Sequence, residues 1–123
     1  MRVAIYARKS NDDNDQSSEN KSVTRQIDQA RAYAEAKGWR VLDDHVFTDD
    51  GISGAEFRER PGLLKLLAHL DEPDVVVMSE ISRLGRDMIQ NSVILDKIIN
   101  EHGVKVHYYL TAKRKRWTPL KPA

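Results

Sequence analysis

The first residues of the chain follow the period of two that is typical of a β-strand. One set of positions holds Val3, Ile5 and Ala7, and the other holds Tyr6, Arg8 and Ser10. This alternation predicts a first strand with its polar side chains on one face. Residues 11–21 contain no apolar residue, which is typical of an exposed loop.

Further apolar segments predict the rest of the secondary structure. A helix begins after a Ser22 cap and ends at Gly38, because its apolar residues recur at spacings of three and four. A strand follows over 39–47, with an irregular patch at Asp43-Asp44, and then a loop over 48–54. The next predicted elements are a helix that begins at Pro61 and carries five leucines, a strand over 75–78 and a polar turn over 79–86. The last two are a strand over 104–110 and, before it, a helix that ends at Gly103 and has the apolar residues Met88, Ile89, Val93, Leu95, Ile98 and Ile99.

The alternation of strands and helices predicts an α/β fold. The run from Val75 to Met78 has no polar residue, which indicates a strand buried on both faces and therefore a parallel sheet covered by helices. We expect an open, mostly parallel sheet of four or more strands with right-handed connections and helices on both faces.

Three polar clusters follow the predicted strands at their carboxyl ends. They lie at 8–10, 49–54 and 79–86. Because ligands of open α/β sheets bind beyond the carboxyl ends of the strands, we expect these clusters to converge at one edge of the sheet.

Arginines and one serine are the candidate chemical groups of these clusters. Arg8 and Ser10 are two residues apart on one strand face, and Arg83 and Arg86 are three apart in a turn. A guanidinium donates paired hydrogen bonds to a phosphate and stabilises the charge that develops when a hydroxyl attacks it. From Arg8 and Ser10 alone, a solvated strand-end arginine before a loop is the favoured interpretation. Arg83 and Arg86 can also be surface arginines in ion pairs, and for Arg60 before Pro61 an ion pair is about as good an interpretation as a functional role.

Composition limits the class of protein. With 123 residues the chain has room for one domain, which we place at 1–112, and a basic tail at 113–123 that we expect to be flexible. The net charge is +1, yet without the five basic residues of the tail it is −4, so any contact with nucleic acid depends on a local arginine cluster. The absence of cysteine and of a long apolar run predicts a cytoplasmic protein that does not enter a membrane.

Five motifs in order resemble the resolvase/invertase family of serine site-specific recombinases, especially the large serine integrases and transposon recombinases. The first is Tyr6-Ala7-Arg8-Lys9-Ser10. The others are Ser22-Val23 with Gln26, Asp50-Gly51-Ile52-Ser53-Gly54, Arg60-Pro61-Gly62-Leu63, and Ile81-Ser82-Arg83-Leu84-Gly85-Arg86-Asp87. Together they span most of the chain.

The resemblance implies an enzyme that recombines DNA through a serine nucleophile. Ser10 would attack a backbone phosphate that Arg8, Arg83 and Arg86 hold and Arg60 assists, giving a 5′-phosphoseryl linkage without a metal or nucleotide cofactor. Gln26 and Asp50 would position the arginines, and Tyr6 and Ser82 complete the expected supporting set. Ser82 departs from the pattern, because many members carry Asp there.

The implied partners are double-stranded DNA and further copies of the chain, as a dimer or tetramer of the complete protein. No small-molecule substrate is expected. The family continues with a further strand and a long helix that residues 113–123 do not resemble, which predicts a truncated domain. A second hypothesis is therefore an inactive remnant or regulator that pairs with full-length recombinases.

Two other kinds of site use carboxylates. A phosphoacceptor signalling domain would use Asp49 or Asp50, and the same pair would suit Mg²⁺. The phosphoacceptor hypothesis gives the arginines no role. The four histidines are scattered without the spacing of metal ligands, so we predict no metal site.

Overall fold

In the residues that the structure describes, four parallel strands form one sheet with helices on both faces. The computed structural model describes residues 1–9, 22–50, 60–85 and 87–114. In chain order the elements are β1 (Arg2–Lys9), α1 (Val23–Ala36), β2 (Arg40–Asp50), α2 (Pro61–Ala68), β3 (Val75–Met78), a 3₁₀ turn (Ile81–Leu84), α3 (Met88–Leu95), a π-helical segment (Asp96–Glu101), β4 (Lys105–Tyr108) and α4 (Tyr109–Arg114). The strand order is β2-β1-β3-β4, and all neighbours are parallel, which confirms the predicted fold class.

Alternate residues of the central strands face two separate cores. Ala4 and Tyr6 of β1 point toward α2 and the π-helical segment, where Leu63, Leu66 and Ile98 are buried. The intervening β1 residues point toward α1 and α4, where they pack with Ala30, Ala34 and Tyr109. All four residues of β3 are buried, as expected for a strand covered on both faces.

β2 contains the irregularity that its sequence predicted. Val3 pairs with Val41, but Ile5 pairs with Val46, so four residues of β2 lie opposite the single Ala4. Asp43 and Asp44 fall within that stretch. The strand also runs further than predicted: it includes residues 48–50, which pair with the end of β1. The prediction of a loop from residue 48 was wrong, because pairing with β1 overrides the polar character of these residues.

α1 has the ends that the sequence predicted. The Ser22 side chain accepts a hydrogen bond from the backbone N–H of Arg25 at 3.2 Å, which caps the first turn. Gly38 follows the helix with φ of 75°, a conformation that strongly favours glycine.

Asp49 of β2 anchors the amino terminus of α2. Its Oδ1 accepts a hydrogen bond from the N–H of Gly62 at 2.8 Å, and its Oδ2 accepts one from the N–H of Leu63 at 3.0 Å. The helix approaches β2 so closely that a Cβ at Gly62 would lie 2.3 Å from the carbonyl oxygen of Thr48. The carboxylate thus satisfies helix N–H groups that have no partner within the helix.

The buried face of α3 differs from the prediction. Asn91, Ile94 and Ile98 are buried, whereas Met88, Ile89 and Val93 are 65% to 78% exposed. Ile99 is also exposed. The sequence has apolar residues on both sides of this helix, so its periodicity could not decide which side packs on the sheet. Gly103, with φ of 69°, ends the helical run as predicted.

The fourth strand is shorter than predicted. It ends at Tyr108, and the predicted last two residues of the strand begin α4 instead. The N–H of Leu110 donates to the carbonyl of Ser79 at 3.1 Å, and Tyr109 is buried in the core beneath α1. These contacts turn the chain out of the sheet. The prediction of a separate tail from residue 113 stays a prediction, and α4 continues to Arg114.

Within the described ranges, no helix has the length and apolar character needed to cross a lipid bilayer.

Asp49→Ala should destabilise the domain strongly, because two buried helix N–H groups lose their acceptor. We expect the free energy of unfolding to fall by about 3 kcal/mol in urea denaturation. Asp43→Ala is the control. The Asp43 side chain is 87% exposed, and its ion-pair partner in the described part of the chain is Arg31, whose side chain is 41% exposed, so a loss below about 0.5 kcal/mol is expected. Equal losses in the two variants would contradict this anchoring role of Asp49.

Candidate active site

The carboxyl end of β1 is held by a side chain from α1. Gln26 accepts a hydrogen bond at Oε1 from the N–H of Arg8, at 3.2 Å, and donates from Nε2 to the carbonyl of Arg8 at 2.9 Å. On that side β3 pairs with β1 only from Val3 to Ile5. The buried amide of Gln26 therefore replaces the missing strand neighbour of Arg8.

Arg8 and Arg83 hold each other through reciprocal bonds from side chain to main chain. Arg8 donates from Nε to the carbonyl of Arg83 and from Nη2 to the carbonyl of Ser82, both at 3.1 Å. Arg83 donates from Nη1 to the carbonyl of Arg8 at 2.7 Å. We call this pair of contacts the arginine clasp. It joins the end of β1 to the turn after β3, across 75 residues of sequence.

Arg60 approaches the same turn from the amino terminus of α2. It is 1% exposed, and its Nη1 donates to the carbonyl of Leu84. Gly85 has φ of 133°, and a Cβ added there would lie 3.2 Å from Nη1 of Arg60. Glycine is therefore strongly favoured at this position, because other residues rarely adopt this φ and a Cβ would contact Arg60 closely.

Three buried arginines lie at this site. Arg8, Arg60 and Arg83 are each at most 5% exposed. Two carboxylates lie near them in the described part of the chain: Asp49, and Glu80, whose Oε2 is 3.5 Å from Nη2 of Arg83. A cluster of guanidinium groups suits an anionic ligand, because charged donors form strong hydrogen bonds to anionic oxygens.

The Arg83 guanidinium can donate hydrogen bonds to a further acceptor. Its Nη2 lies 3.3 Å from the Oγ of Ser82, and its buried Nε has no hydrogen-bond partner among the described residues. A guanidinium donates five hydrogen bonds in a planar fork, which suits the oxygens of a phosphate.

Tyr6 links the cationic cluster to the anchor of α2. Its hydroxyl donates to Oδ2 of Asp49 at 2.7 Å, and both side chains are buried. Burial, followed by the nearby Asp49 carboxylate, raises the pKa of Tyr6 far above its usual range. The phenol therefore remains a neutral donor at every physiological pH.

Not all of the predicted site residues lie in the described ranges. Ser10 and Arg86 fall outside them, as does the side chain of Asp50, and their roles stay predictions. The backbone of Asp50 pairs with Lys9 at the end of the sheet. The structure brings the other six together at one sheet edge: Tyr6, Arg8, Gln26, Arg60, Ser82 and Arg83.

The sequence did not predict the structural hydrogen bonds that two polar residues of this site make. Asp49 was considered only as a phosphoacceptor or metal ligand, yet three hydrogen bonds occupy its buried carboxylate and leave it unsuited to either role. Asn91 is 2% exposed and donates to the carbonyl of Gly85 at 2.8 Å. Asn91 lies three residues before Ile94 and seven before Ile98, and this helical spacing was the sequence signal for its burial.

Comparison with known proteins agrees with this geometry. The family model for the resolvase N-terminal domain matches residues 3–118, and the chain belongs to that family.

Solved structures of serine recombinases resemble the chain. The N-terminal catalytic domain of TP901-1 integrase is 29% identical with a TM-score of 0.74, over 90% of this chain and 78% of that one. The C-terminal catalytic domain of ISC1926 TnpA, an IS607-like serine recombinase, is 32% identical with a TM-score of 0.70, over 89% of this chain and 70% of that one. A serine recombinase from Sulfolobus solfataricus shares the fold. It is 24% identical with a TM-score of 0.55, over 86% of this chain and 66% of that one.

The pH dependence of stability should report on Tyr6. Burial raises the pKa of Tyr6 in the folded state, so its stabilising effect is complete below the unfolded value of about 10 and is lost as the pH rises above it. Between pH 9 and pH 11 the free energy of unfolding of the wild type should therefore fall by about 1.4 kcal/mol more than that of Tyr6→Phe. Urea denaturation at both pH values measures this difference. Parallel pH profiles would show that the Tyr6 phenol ionises equally well when folded.

Proposed function

We propose that this domain cleaves and rejoins DNA in site-specific recombination, with Ser10 as the nucleophile. The arginine clasp carries the proposal. It fixes the main chain of Arg8, two residues before Ser10, against the turn that contains Arg83. Residues two apart on a strand project from the same face, which supports placing the Ser10 hydroxyl beside the cationic cluster.

The chemistry requires a hydroxyl and several fixed cations. The Ser10 oxygen loses its proton and forms a bond to phosphorus, while the bond from phosphorus to the 3′ oxygen of the DNA breaks. That oxygen takes up a proton and leaves as a 3′-hydroxyl, and the protein carries a 5′-phosphoseryl linkage. Attack by the 3′-hydroxyl of another strand reverses the step, because the covalent linkage conserves the energy of the phosphodiester.

The arginines stabilise the charge that develops on the non-bridging oxygens. Arg8 and Arg83 lie closest to the end of β1, and we assign them with Arg86 to the phosphate. Arg60 is more deeply buried and assists through the turn after β3. Gln26 and Tyr6 hold the main chain and the α2 anchor around them, and the role of Asp50 remains as implied by the family resemblance.

The partners that this reaction needs are double-stranded DNA and further copies of the chain. The cluster of buried arginines supports contact with a phosphate backbone, and we place the protein in the cytoplasm. The exposed apolar residues Met88, Ile89 and Val93 of α3 support self-association, because burying them on another subunit would remove them from water.

The same apolar surface supports a second candidate function. A domain that pairs through α3 with an active recombinase would regulate that protein without cleaving DNA itself. The two functions differ in whether Ser10 becomes covalently bound to DNA.

Mass spectrometry of protein–DNA adducts tests the proposal. The protein is incubated with duplex DNA of randomised core sequence, denatured, and searched for a phosphoseryl peptide. We expect an adduct at Ser10, and none with Ser10→Ala because that variant lacks the attacking oxygen. Ser92→Ala, which removes an exposed helix hydroxyl, should form the wild-type amount. An adduct in the Ser10→Ala protein would exclude Ser10 as the nucleophile.

A further inference from the structure

Glu80 is held beside Arg83 by the backbone of the turn after β3. The N–H of Arg83 donates to the carbonyl of Glu80 at 3.0 Å, which closes the first turn of the 3₁₀ segment. Side chains three residues apart in a 3₁₀ turn lie on the same side of it. In agreement with this, Oε2 of Glu80 lies 3.5 Å from Nη2 of Arg83.

The contact between these two side chains is loose. Charged hydrogen bonds from a guanidinium to a carboxylate are usually about 2.7–2.9 Å long, well below the 3.5 Å found here. The Glu80 side chain is 25% exposed, whereas that of Arg83 is 6% exposed. Glu80 therefore places a partly hydrated carboxylate next to Arg83 without occupying all of its donors.

The two edges of the Arg83 guanidinium have different surroundings. Nη1 donates to the carbonyl of Arg8 at 2.7 Å and belongs to the arginine clasp. The other edge consists of Nε, which has no hydrogen-bond partner among the described residues, and Nη2, which Glu80 approaches. A phosphate that binds Arg83 through this second edge is therefore a neighbour of Glu80.

The distance between Glu80 and such a phosphate has an upper bound. A phosphate oxygen that accepts from Nη2 at about 2.9 Å lies no more than about 6.5 Å from Oε2 of Glu80. At that distance two unit negative charges repel each other enough to weaken binding about threefold, even at the dielectric constant of water. For a ligand with two charges the repulsion doubles, which corresponds to about tenfold.

We propose that Glu80 is a specificity-determining residue that shifts the preference of the site from phosphomonoesters, which carry two negative charges, toward phosphodiesters, which carry one. The inference rests on the proposed function, in which Arg83 binds the phosphate, and it names the class of phosphate that is selected. Phosphates within a DNA strand are diesters, whereas free phosphate and the phosphates at strand ends approach two charges near neutral pH. Glu80 thus disfavours these competing anions relative to an intact strand.

NMR titration of the Arg83 Nε–H signal tests this inference, with methyl phosphate and dimethyl phosphate as probes at pH 8 and low salt. The first probe carries two charges and the second carries one. Glu80→Gln keeps the size of the side chain and removes its charge. In this variant the affinity for methyl phosphate should rise about tenfold and that for dimethyl phosphate about threefold. The ratio of the two gains is the readout, because a purely structural role of Glu80 would not depend on the charge of the ligand.

Glu101→Gln is the control. Glu101 is 59% exposed and lies 3.9 Å from the Lys97 ammonium, before the amino end of β4, whereas Arg83 follows the carboxyl end of β3. This variant removes the same charge far from Arg83, so both affinities should stay at their wild-type values. If Glu80→Gln fails to fold, Glu80→Ala removes the same charge and gives the same comparison.

Three results would overturn the inference. Equal gains for the two probes in Glu80→Gln would show that Glu80 does not sense the charge of the ligand. Unchanged affinities in that variant would show that Glu80 moves away when a phosphate binds. If neither probe shifts the Arg83 signal in the wild type or in Glu80→Gln, the proposed phosphate site itself is wrong, and the role of Glu80 fails with it.

Discussion

The arginine clasp is the interaction on which the rest of the site depends. Two buried guanidinium groups donate to each other's main chain, and so join the end of β1 to the turn after β3. Strand pairing between β1 and β3 ends at Ile5, so the clasp and the amide of Gln26 take over beyond that point. The same groups that would hold an anion therefore also fix the backbone around it.

This arrangement determines what each arginine contributes. A guanidinium that is already bound to a carbonyl has fewer rotamers to lose when a phosphate arrives, which is the basis of preorganisation. Arg8, Arg60 and Arg83 are each almost completely buried. A ligand that binds the folded domain and not the unfolded chain stabilises the fold, so under the proposed function phosphate binding and stability would be coupled.

Asp49 provides the second constraint, because one carboxylate serves three groups. It caps α2 through Gly62 and Leu63 and accepts the hydroxyl of Tyr6. Arg60 precedes α2 directly, so the position of that helix also sets the position of its guanidinium. The chain belongs to the resolvase N-terminal domain family and resembles the catalytic domains of an integrase and of a serine recombinase, which is consistent with this arrangement of side chains.

The sequence by itself determined the alternation of strands and helices, the parallel sheet and the family, because these depend on local periodicity and on ordered motifs. It could not decide that Ile94 and Asn91, rather than Met88, face the sheet, since burial depends on what packs against a helix. Nor could it show the bonds to the carbonyls of 82–85. Every residue has a main-chain carbonyl, so the sequence does not indicate which carbonyls accept a side-chain hydrogen bond. Only the tertiary structure decides which donors reach them.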